Sequence, residues 1–395
     1  MFLSFQMKRY STISRQLALL VITALIGGSI YLGFTPSRQF PNKITTQLQS
    51  TFSLLCTNVS SLPLLFQKGY VLAYQREVPG IITLVDVNGN VVWSYRSENA
   101  GFKMVSFTRN HTFLCITGTQ DNDIGYGNAI IELSLHGDTL LYLKKGQKDF
   151  KQFIHHEIFL NVKDQIVTLT REERIFDLSK TGGSKNDTVV GDGVLVLNKN
   201  GQQIWKWTVF NTLNPLNDKE ILKHKKDWMH ANSISLDRDG NYLVSFYNNG
   251  QVWKINSITG DVMWKFGKDG DFEIPYNTIF HHAHAAHINN KGWLMLFDNG
   301  ADKKRSRSLA FAIDTISKRA EPIIDSWIPP SMYSDRMGSS YLVGDTTLLV
   351  CLSRHKTICL TNLAGDFLWK LTNKDMMSYR AEFIPGEKLT PYLNK

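Results

Sequence analysis

Short runs of apolar residues, separated by turn residues, follow one another along the chain from Gly69 onward. Runs of this length and spacing are typical of β-strands in an all-β sandwich, barrel or propeller. The spacing of apolar residues that marks a long amphipathic helix is not evident in this region of the sequence. The pattern therefore predicts an all-β domain.

One hairpin unit recurs within these strands. It consists of a strand, a tight turn at glycine and a second strand that ends in an aromatic residue. Its copies are Leu84–Trp93, Val194–Trp205, Val252–Trp264 and Ile358–Trp369, with a weaker copy at Ile130–Tyr142. In the four strong copies the tryptophan follows the glycine by four residues. A primed turn needs positive φ, which glycine adopts without steric cost. The tryptophans are therefore predicted to occupy the same slot in each sheet.

A second pair of strands precedes each hairpin, and four strands per repeat are typical of a propeller blade. Six units begin near Gly69, Met104, His155, His230, His281 and Met337. The segment Tyr379–Pro385 is predicted to join the first blade and close the ring, which leaves no exposed sheet edge. The predicted fold is thus an all-β, six-bladed β-propeller over residues 69–395. Residues 36–68 are interpreted as a stalk or accessory segment.

The N-terminal region predicts a membrane anchor. Leu17–Phe34 contains no charged residue and approaches the length needed to span a bilayer. Lys8, Arg9 and Arg15 precede it, so the positive-inside rule places the N-terminus in the cytoplasm. Residues 1–35 are therefore interpreted as a cytoplasmic tip and a single-pass signal-anchor. A cleaved signal peptide is the alternative. Either interpretation places the propeller on the periplasmic, lumenal or extracellular side.

Export makes disulfides feasible. Cys351 and Cys359 flank a potential hairpin and could face each other, or all four cysteines could be buried thiols.

The formal net charge of +9 favours acidic partners such as anionic lipid or an anionic small molecule. Nucleic acid is not expected, because no dense Lys/Arg stripe interleaved with aromatic residues occurs. Assembly into a homo-oligomer is left open.

Histidines stand at the start of three consecutive predicted blades. They are His155 and His156, then His230, then the run from His281 to His287. If the first strand of a blade is the innermost, these imidazoles surround one end of the central channel. Such a cluster could bind a transition metal, or one imidazole could act as nucleophile or general base while others hold an anion. Asn232 close to His230 suits an oxyanion better than a cation, so neither a metal nor another cofactor is expected.

Several strings resemble the arylsulfate sulfotransferase family. They are Asp227-Trp-Met-His-Ala-Asn-Ser, Gln251-Val-Trp-Lys-Ile-Asn, Thr259-Gly-Asp-Val-Met-Trp-Lys-Phe-Gly, Phe297-Asp-Asn-Gly and Ser306-Arg-Ser-Leu. The similarity covers most of residues 69–385. It implies a six-bladed propeller that moves a sulfuryl group from an aryl sulfate to a phenol. In that family the transfer uses a transient sulfohistidine and no nucleotide sulfate donor.

The resemblance also implies roles for individual residues. His284, thirteen residues before Phe297, matches the family's nucleophile. His230 and Asn232 match a His-x-Asn pair that resembles a clamp on the sulfuryl oxygens. His156, with His155 as the less fitting register, matches an upstream histidine suited to protonating the leaving phenolate. A neutral imidazole is nucleophilic, and its N-sulfonated form is a good leaving group.

One position departs from the family pattern. The family has an arginine in a Ser-x-Arg string where this chain has Ser245-Phe246-Tyr247. Arg171, Arg354 and Arg307 are candidate substitutes for the missing cation. Loss of a bidentate guanidinium weakens anion binding. The missing arginine therefore leaves open a non-catalytic propeller that binds an anionic ligand or protein. The histidine cluster leaves open a metal-dependent hydrolase or lyase.

Overall fold

The computed structural model describes residues 54–58, 61–122, 125–374 and 376–393. These residues form six antiparallel sheets, which are the six blades of a β-propeller. The fold predicted from the repeat is confirmed. Apolar side chains between neighbouring blades form the core, as expected when every sheet is covered on both faces.

The blades are numbered along the chain, and their strands are given from the channel outward. Blade 1 contains Glu382–Ile384, Tyr70–Gln75, Gly80–Val85 and Val91–Ser97. Blade 2 contains Gly101–Phe107, Phe113–Gly118, Ala129–Leu133 and Thr139–Lys144. Blade 3 contains Tyr126–Gly127, Ile154–Leu160, Ile166–Phe176, Asp187–Leu197 and Gln203–Thr208. Blade 4 contains Ala231–Leu236, Tyr242–Phe246, Gln251–Ile255 and Val262–Gly267. Blade 5 contains His284–Ile288, Leu294–Asp298, Arg307–Asp314 and Arg319–Trp327. Blade 6 contains Ser339–Val343, Thr347–Leu352, Thr357–Asn362, Phe367–Asn373 and Leu54–Asn58.

The helices of the described residues are short. The α-helices are Leu64–Gln67, Ile221–His224 and Gly386–Leu393. The 3-10 helices are Ser179–Thr181, Val209–Asn211, Pro215–Asn217, Tyr276–Thr278, Pro330–Met332 and Ser353–His355.

Both ends of the described chain pair with strands far away in sequence. Glu382–Ile384 pairs with Tyr70–Leu72 and supplies the innermost strand of blade 1. The predicted closure of the ring by the C-terminal segment is therefore confirmed. Leu54–Asn58, from the segment interpreted as a stalk, pairs with the outer strand of blade 6.

The repeated tryptophans join neighbouring blades. Trp93 donates from Nε1 to the Leu135 carbonyl of blade 2 at 2.7 Å. Trp369 makes the same bond to the Val87 carbonyl of blade 1 at 2.8 Å. Trp205 reaches the Ile258 carbonyl of blade 4 at 3.3 Å. Each of these outer-strand tryptophans thus satisfies a carbonyl in the turn of the next blade, which explains their fixed distance from the turn glycine.

Bulges occur where the histidine-bearing inner strands begin. The pairing register shifts between His155 and Ile158 in blade 3, and between His284 and His287 in blade 5. His156 and His230 adopt positive φ values of 60° and 54°. Left-handed backbone at a non-glycine residue is costly and is typical of functional sites. The bulges turn these side chains away from regular strand directions at one end of the channel.

The predicted anchor Leu17–Phe34 lies outside the described residues. Among the residues that the structure describes, no helix has the length and apolar character needed to cross a membrane. All four cysteines fall within the described ranges, and none of them forms a disulfide there. Cys359 lies opposite Val350, and Cys351 lies opposite Ile358, so the two thiols are offset in register.

Candidate active site

His284 is a buried imidazole at the first position of the inner strand of blade 5. Only 2% of its surface is exposed. Its Nδ1 lies 2.6 Å from Oδ1 of Asn299 and 3.2 Å from the His282 carbonyl. Burial, reinforced by the charges of His230 and Arg380, lowers the pKa of His284 to about 3. The ring is therefore uncharged at neutral pH, as a nitrogen nucleophile must be.

The three histidines proposed from the sequence lie together, around two tyrosines. Tyr379 has its ring centroid 5.3 Å from that of His156 and 6.0 Å from that of His284. Tyr247 lies 5.0 Å from His230 and 5.4 Å from His284. The rings of His156 and His230 are themselves 5.4 Å apart. Three neighbouring blades thus contribute imidazoles to one mouth of the channel.

His230 differs from His156 and His284 because its ring is hydrogen-bonded to a carboxylate. Its Nδ1 lies 2.6 Å from Oδ2 of Asp227. Burial disfavours the charged ring, but the hydrogen bond and charge of Asp227, with the charge of Asp192, outweigh it and raise the pKa of His230. The site therefore holds a neutral imidazole at His284 beside a readily protonated one at His230.

His155 and His156 form an adjacent pair on blade 3. Their Nδ1 atoms are 2.7 Å apart, so one ring donates to the other. Burial lowers the pKa of His155 to about 4 and that of His156 well below its usual value. His156 contacts His230 and Tyr379, whereas His155 lies behind it with its Nε2 3.5 Å from Asp192.

Asn232 in blade 4 is hydrogen-bonded to blade 5 and to the segment that closes the ring. It is fully buried, and its side-chain nitrogen donates to the Ala283 carbonyl at 2.7 Å. Its own backbone carbonyl accepts hydrogen bonds from Arg380 Nη2 at 2.7 Å and from the Tyr379 hydroxyl at 3.2 Å. In the structure Asn232 therefore connects blades 4 and 5 with the segment that closes the ring.

Tyr247, which stands where the family has arginine, is stacked on a histidine. Its ring lies 4.1 Å from that of His282, with the planes 13° apart. Its hydroxyl donates to the Asp335 carbonyl at 3.4 Å, and the Asp335 carboxylate pairs with Arg354 at 3.1 Å. Arg354 thus lies at the rim beside Tyr247.

Arg171 lies at another part of the rim. Its guanidinium is 5.3 Å from the ring centroid of Tyr126, which in turn lies 5.3 Å from that of His155. Its Nε also pairs with Glu173 at 2.8 Å. Arg171 and Arg354 therefore lie on two sides of the mouth, each paired with a carboxylate.

The structure places Arg307 in a buried ion pair instead of beside the clustered imidazoles. The side chain has no exposed surface, and its Nε lies 2.9 Å from Asp298 Oδ2. Nη1 pairs with Asp325 at 3.2 Å and also donates to the carbonyl of Asn277, and Nη2 donates to the carbonyl of Ile279. Arg307 thereby holds the loop before His281 against blade 5.

Replacing Arg307 with methionine is expected to destabilise the protein by about 3–5 kcal/mol, because the buried carboxylate of Asp298 would lose its partner. Denaturant unfolding measures this change. Arg319→Met in the same blade is the matched control, since its ion pair with Glu273 is about three-quarters exposed, at 75% and 74%. That variant should stay within about 1 kcal/mol of the unmodified chain. Equal losses in both variants would contradict a structural role for Arg307.

Tyr379 and Arg380 are site residues that the sequence analysis did not identify. Arg380 is 3% exposed, pairs through Nη1 with Glu157 and donates to the carbonyl of Asn232. Burial disfavours its charge, but the Glu157 carboxylate outweighs this and raises the pKa of Arg380. Both residues lie within three positions before the closing strand Glu382–Ile384, as His230 lies just before its own strand Ala231–Leu236. This shared position before an inner strand was the sequence signal by which Tyr379 and Arg380 could have been identified.

Two cavities of about 300 and 310 Å³ occupy the channel beyond Arg380. Both are lined by Glu157, Tyr341 and Arg380, and they extend to the far ends of the inner strands, at Leu160 and Val343. His156, His230 and His284 line neither cavity. We place the candidate site at the histidines, because the neutral and the readily protonated imidazole are there. Among the described residues no three His, Cys, Asp or Glu side chains are grouped as metal ligands.

Comparison with known proteins gives one family. The family model described as arylsulfotransferase (ASST) matches residues 57–357. A search of curated proteins finds no match.

Solved structures of similar fold include a protein of unknown function from Bacteroides caccae. That structure is 10% identical, has a TM-score of 0.50, and the match covers 80% of this chain and 99% of that one. A protein from Lactobacillus plantarum is 11% identical, with a TM-score of 0.46 and coverage of 80% and 99%. Virginiamycin B lyase from Staphylococcus aureus is 12% identical, with a TM-score of 0.40 and coverage of 81% and 99%.

Proposed function

The chain belongs to the arylsulfotransferase family, and from this we propose that it transfers a sulfuryl group from an aryl sulfate to a phenolic acceptor through a sulfohistidine at His284. No nucleotide sulfate donor takes part. The observation that carries the proposal is the pairing of a neutral, buried His284 with a His230 of raised pKa at one mouth of the channel. This pairing supplies a nucleophile and a proton donor side by side.

In the first step, a ring nitrogen of His284 attacks the sulfur of the aryl sulfate. An S–N bond forms while the bond from sulfur to the aryl oxygen breaks, and the electron pair leaves with that oxygen. Protonated His230 gives its proton to the departing oxygen, so a neutral phenol is released. His156, whose pKa is held well below its usual value, stays neutral and could donate a hydrogen bond to a sulfuryl oxygen.

In the second step, the hydroxyl of the acceptor phenol gives its proton back to His230. The acceptor oxygen attacks sulfur, the S–N bond breaks, and its electron pair returns to the nitrogen of His284. The sum of the two steps is exchange of a sulfuryl group between two phenols, with both histidines restored. No cofactor is needed for the balance.

Positive charge around the mouth supports an anionic donor. The Arg380 guanidinium stays charged close to His284, and Arg171 and Arg354 stand at the rim. Each of the three is paired with a carboxylate, so an anionic donor would bind them in competition with Glu157, Glu173 and Asp335. Tyr247, stacked on His282, offers an aromatic face to a substrate ring in place of the family guanidinium.

The proposal is tested by incubating the full chain with 4-nitrophenyl sulfate, with and without a phenol. We expect release of nitrophenolate that depends on the acceptor, and transfer of ³⁵S label from a labelled donor to the phenol. Acid-labile ³⁵S on the protein without acceptor would reveal the intermediate. Release that requires a divalent metal and is abolished by a chelator would instead favour a hydrolase or lyase.

The arginine lost at Tyr247 favours a second candidate, a propeller that binds an anionic ligand or a protein without catalysis. Under this alternative, aryl sulfates bind to the chain but no nitrophenolate is released with any phenol.

We also propose that residues 17–34 attach the propeller to a membrane on its periplasmic, lumenal or extracellular side. That proposal is supported by the uncharged sequence and the preceding cations.

A further inference from the structure

We propose that Asn299 is a positioning residue that sets the tautomer of His284, so that Nδ1 carries the proton and Nε2 carries the lone pair that attacks sulfur. The inference concerns which nitrogen of His284 is sulfurylated, and its mechanistic meaning rests on the proposed function. The geometry itself, however, can be tested without any sulfuryl transfer.

The orientation of the Asn299 amide is fixed by its nitrogen. Asn299 is fully buried, and Nδ2 donates to the Ser334 carbonyl at 2.7 Å and to the Met337 carbonyl at 2.9 Å. Both amide hydrogens are thereby used. A flipped amide would place its oxygen against two carbonyl oxygens, which can only accept. The side-chain oxygen must therefore be the atom that faces His284.

The amide oxygen in turn decides the protonation of the ring. Oδ1 of Asn299 lies 2.6 Å from Nδ1 of His284 and can only accept a hydrogen bond. The second atom near Nδ1, the His282 carbonyl oxygen at 3.2 Å, is also an acceptor. Two acceptors on one nitrogen require that this nitrogen carries hydrogen. In a neutral imidazole the lone pair then belongs to Nε2.

The peptide around Asn299 is itself held in place. Ser306 Oγ lies 3.1 Å from the Asn299 carbonyl and 3.2 Å from that of Ser334. Oδ1 of Asp298 accepts from the backbone N–H groups of His281 and Gly300, each at 2.9 Å. Gly300 has φ of 63°, and a Cβ there would lie 1.9 Å from the Arg305 carbonyl oxygen. The loop therefore presents the amide to His284 in one orientation.

An amide acceptor suits sulfuryl transfer better than a carboxylate would. When Nε2 bonds to sulfur, the ring becomes an N-sulfo imidazolium, and Asn299 accepts from the more acidic Nδ1–H. A carboxylate at this position would favour protonation of the free ring and would remove its lone pair. The titratable and charged groups that face His284 are His156, His230, Tyr247, Tyr379 and Arg380.

The test is the tautomer of His284 in ¹⁵N-histidine-labelled full chain, read from long-range ¹H–¹⁵N correlations at neutral pH. The His284 signals are identified by their absence in the His284→Asn variant. We expect an Nδ1–H ring with a bare Nε2. An Nε2–H ring would overturn the proposal, whether or not the protein transfers sulfuryl groups.

Two substitutions of Asn299 distinguish an effect on the tautomer of His284 from an effect on the packing around it. Asn299→Leu removes the acceptor, so the His284 tautomers should mix and kcat should fall about ten- to hundredfold with little change in KM. Asn299→Asp keeps an acceptor oxygen beside Nδ1, so the Nδ1–H tautomer should persist while the pKa of His284 rises and the acid limb of activity moves to higher pH. Its second oxygen faces the carbonyls of Ser334 and Met337, so thermal unfolding of this variant is measured alongside. Asn289→Asp, in the turn at the other end of blade 5, is the matched control and should change neither property. An unchanged tautomer in Asn299→Leu would also overturn the proposal.

Discussion

Replacing His284 with asparagine is expected to abolish sulfuryl transfer, with a loss on the order of 10⁴-fold or more in kcat. The reason is that the variant has no nitrogen lone pair able to form the S–N bond, whereas the surrounding cations and donors remain. Asparagine is smaller and polar, so it can occupy the buried position without burying a charge. The measurement is nitrophenolate release with a saturating phenol acceptor, together with ³⁵S incorporation into the protein.

The matched control is His136→Ala. His136 is an exposed histidine in a turn of blade 2, remote from the clustered imidazoles along the chain and in the fold. We expect full activity from that variant, and circular dichroism and thermal unfolding curves of both variants like those of the unmodified protein. Full turnover in a folded His284→Asn protein would show that another residue is the nucleophile.

The second large effect is expected at His230. Substitution by glutamine removes the proton donor and should lower kcat/KM by about 10²–10⁴-fold for a donor whose phenolate leaves poorly. A donor with a good leaving group, such as 4-nitrophenyl sulfate, needs less protonation and should lose much less. A uniform loss for both donors would instead indicate that His230 serves to bind the sulfuryl oxygens.

The pH profile gives an independent check of the same role. In the proposed mechanism the charged form of His230 is the active one. Its pKa is raised, so kcat/KM should fall as the pH rises through that value. Asp227→Asn removes the carboxylate that favours the charged ring, and the alkaline limb should therefore move to lower pH. The other ionisable groups near His230 are Asp192, His155, His156, Tyr247, His282 and His284. An alkaline limb that stays in place in Asp227→Asn would contradict the assignment.

The fold followed from the sequence because its determinants are local and repeated. A turn glycine and a tryptophan four residues later recur in blades 1, 3, 4 and 6, and three of these tryptophans bond to the next blade. The closing strand was also predictable, since a ring of five complete blades and one incomplete blade needs it. The pairing of Leu54–Asn58 with blade 6 was not predictable, because an isolated short strand carries no repeat signal.

Residues of the candidate site could be predicted only where the repeat itself shows their position in a blade, namely near the start of an inner strand. His156, His230 and His284 were found because each lies at or near the start of an inner strand. Arg307 shows the limit of such reasoning, since its string does not reveal that Asp298 and Asp325 bury and neutralise it. The orientation of Asn299 depends on carbonyls about 35 residues later, at Ser334 and Met337. Contacts of that kind become visible only in three dimensions.

The closing strand has a consequence for biosynthesis. Tyr379 and Arg380, which bond to Asn232 beneath the imidazoles, emerge from the ribosome after all six repeats have been translated. A nascent chain that has not reached Ile384 lacks the strand that pairs with Tyr70–Leu72 and closes the ring. A chain that ends before Tyr379 also lacks the Arg380 guanidinium that bonds to Asn232. Under the proposed function, a chain that ends before this point is therefore expected to be inactive in sulfuryl transfer.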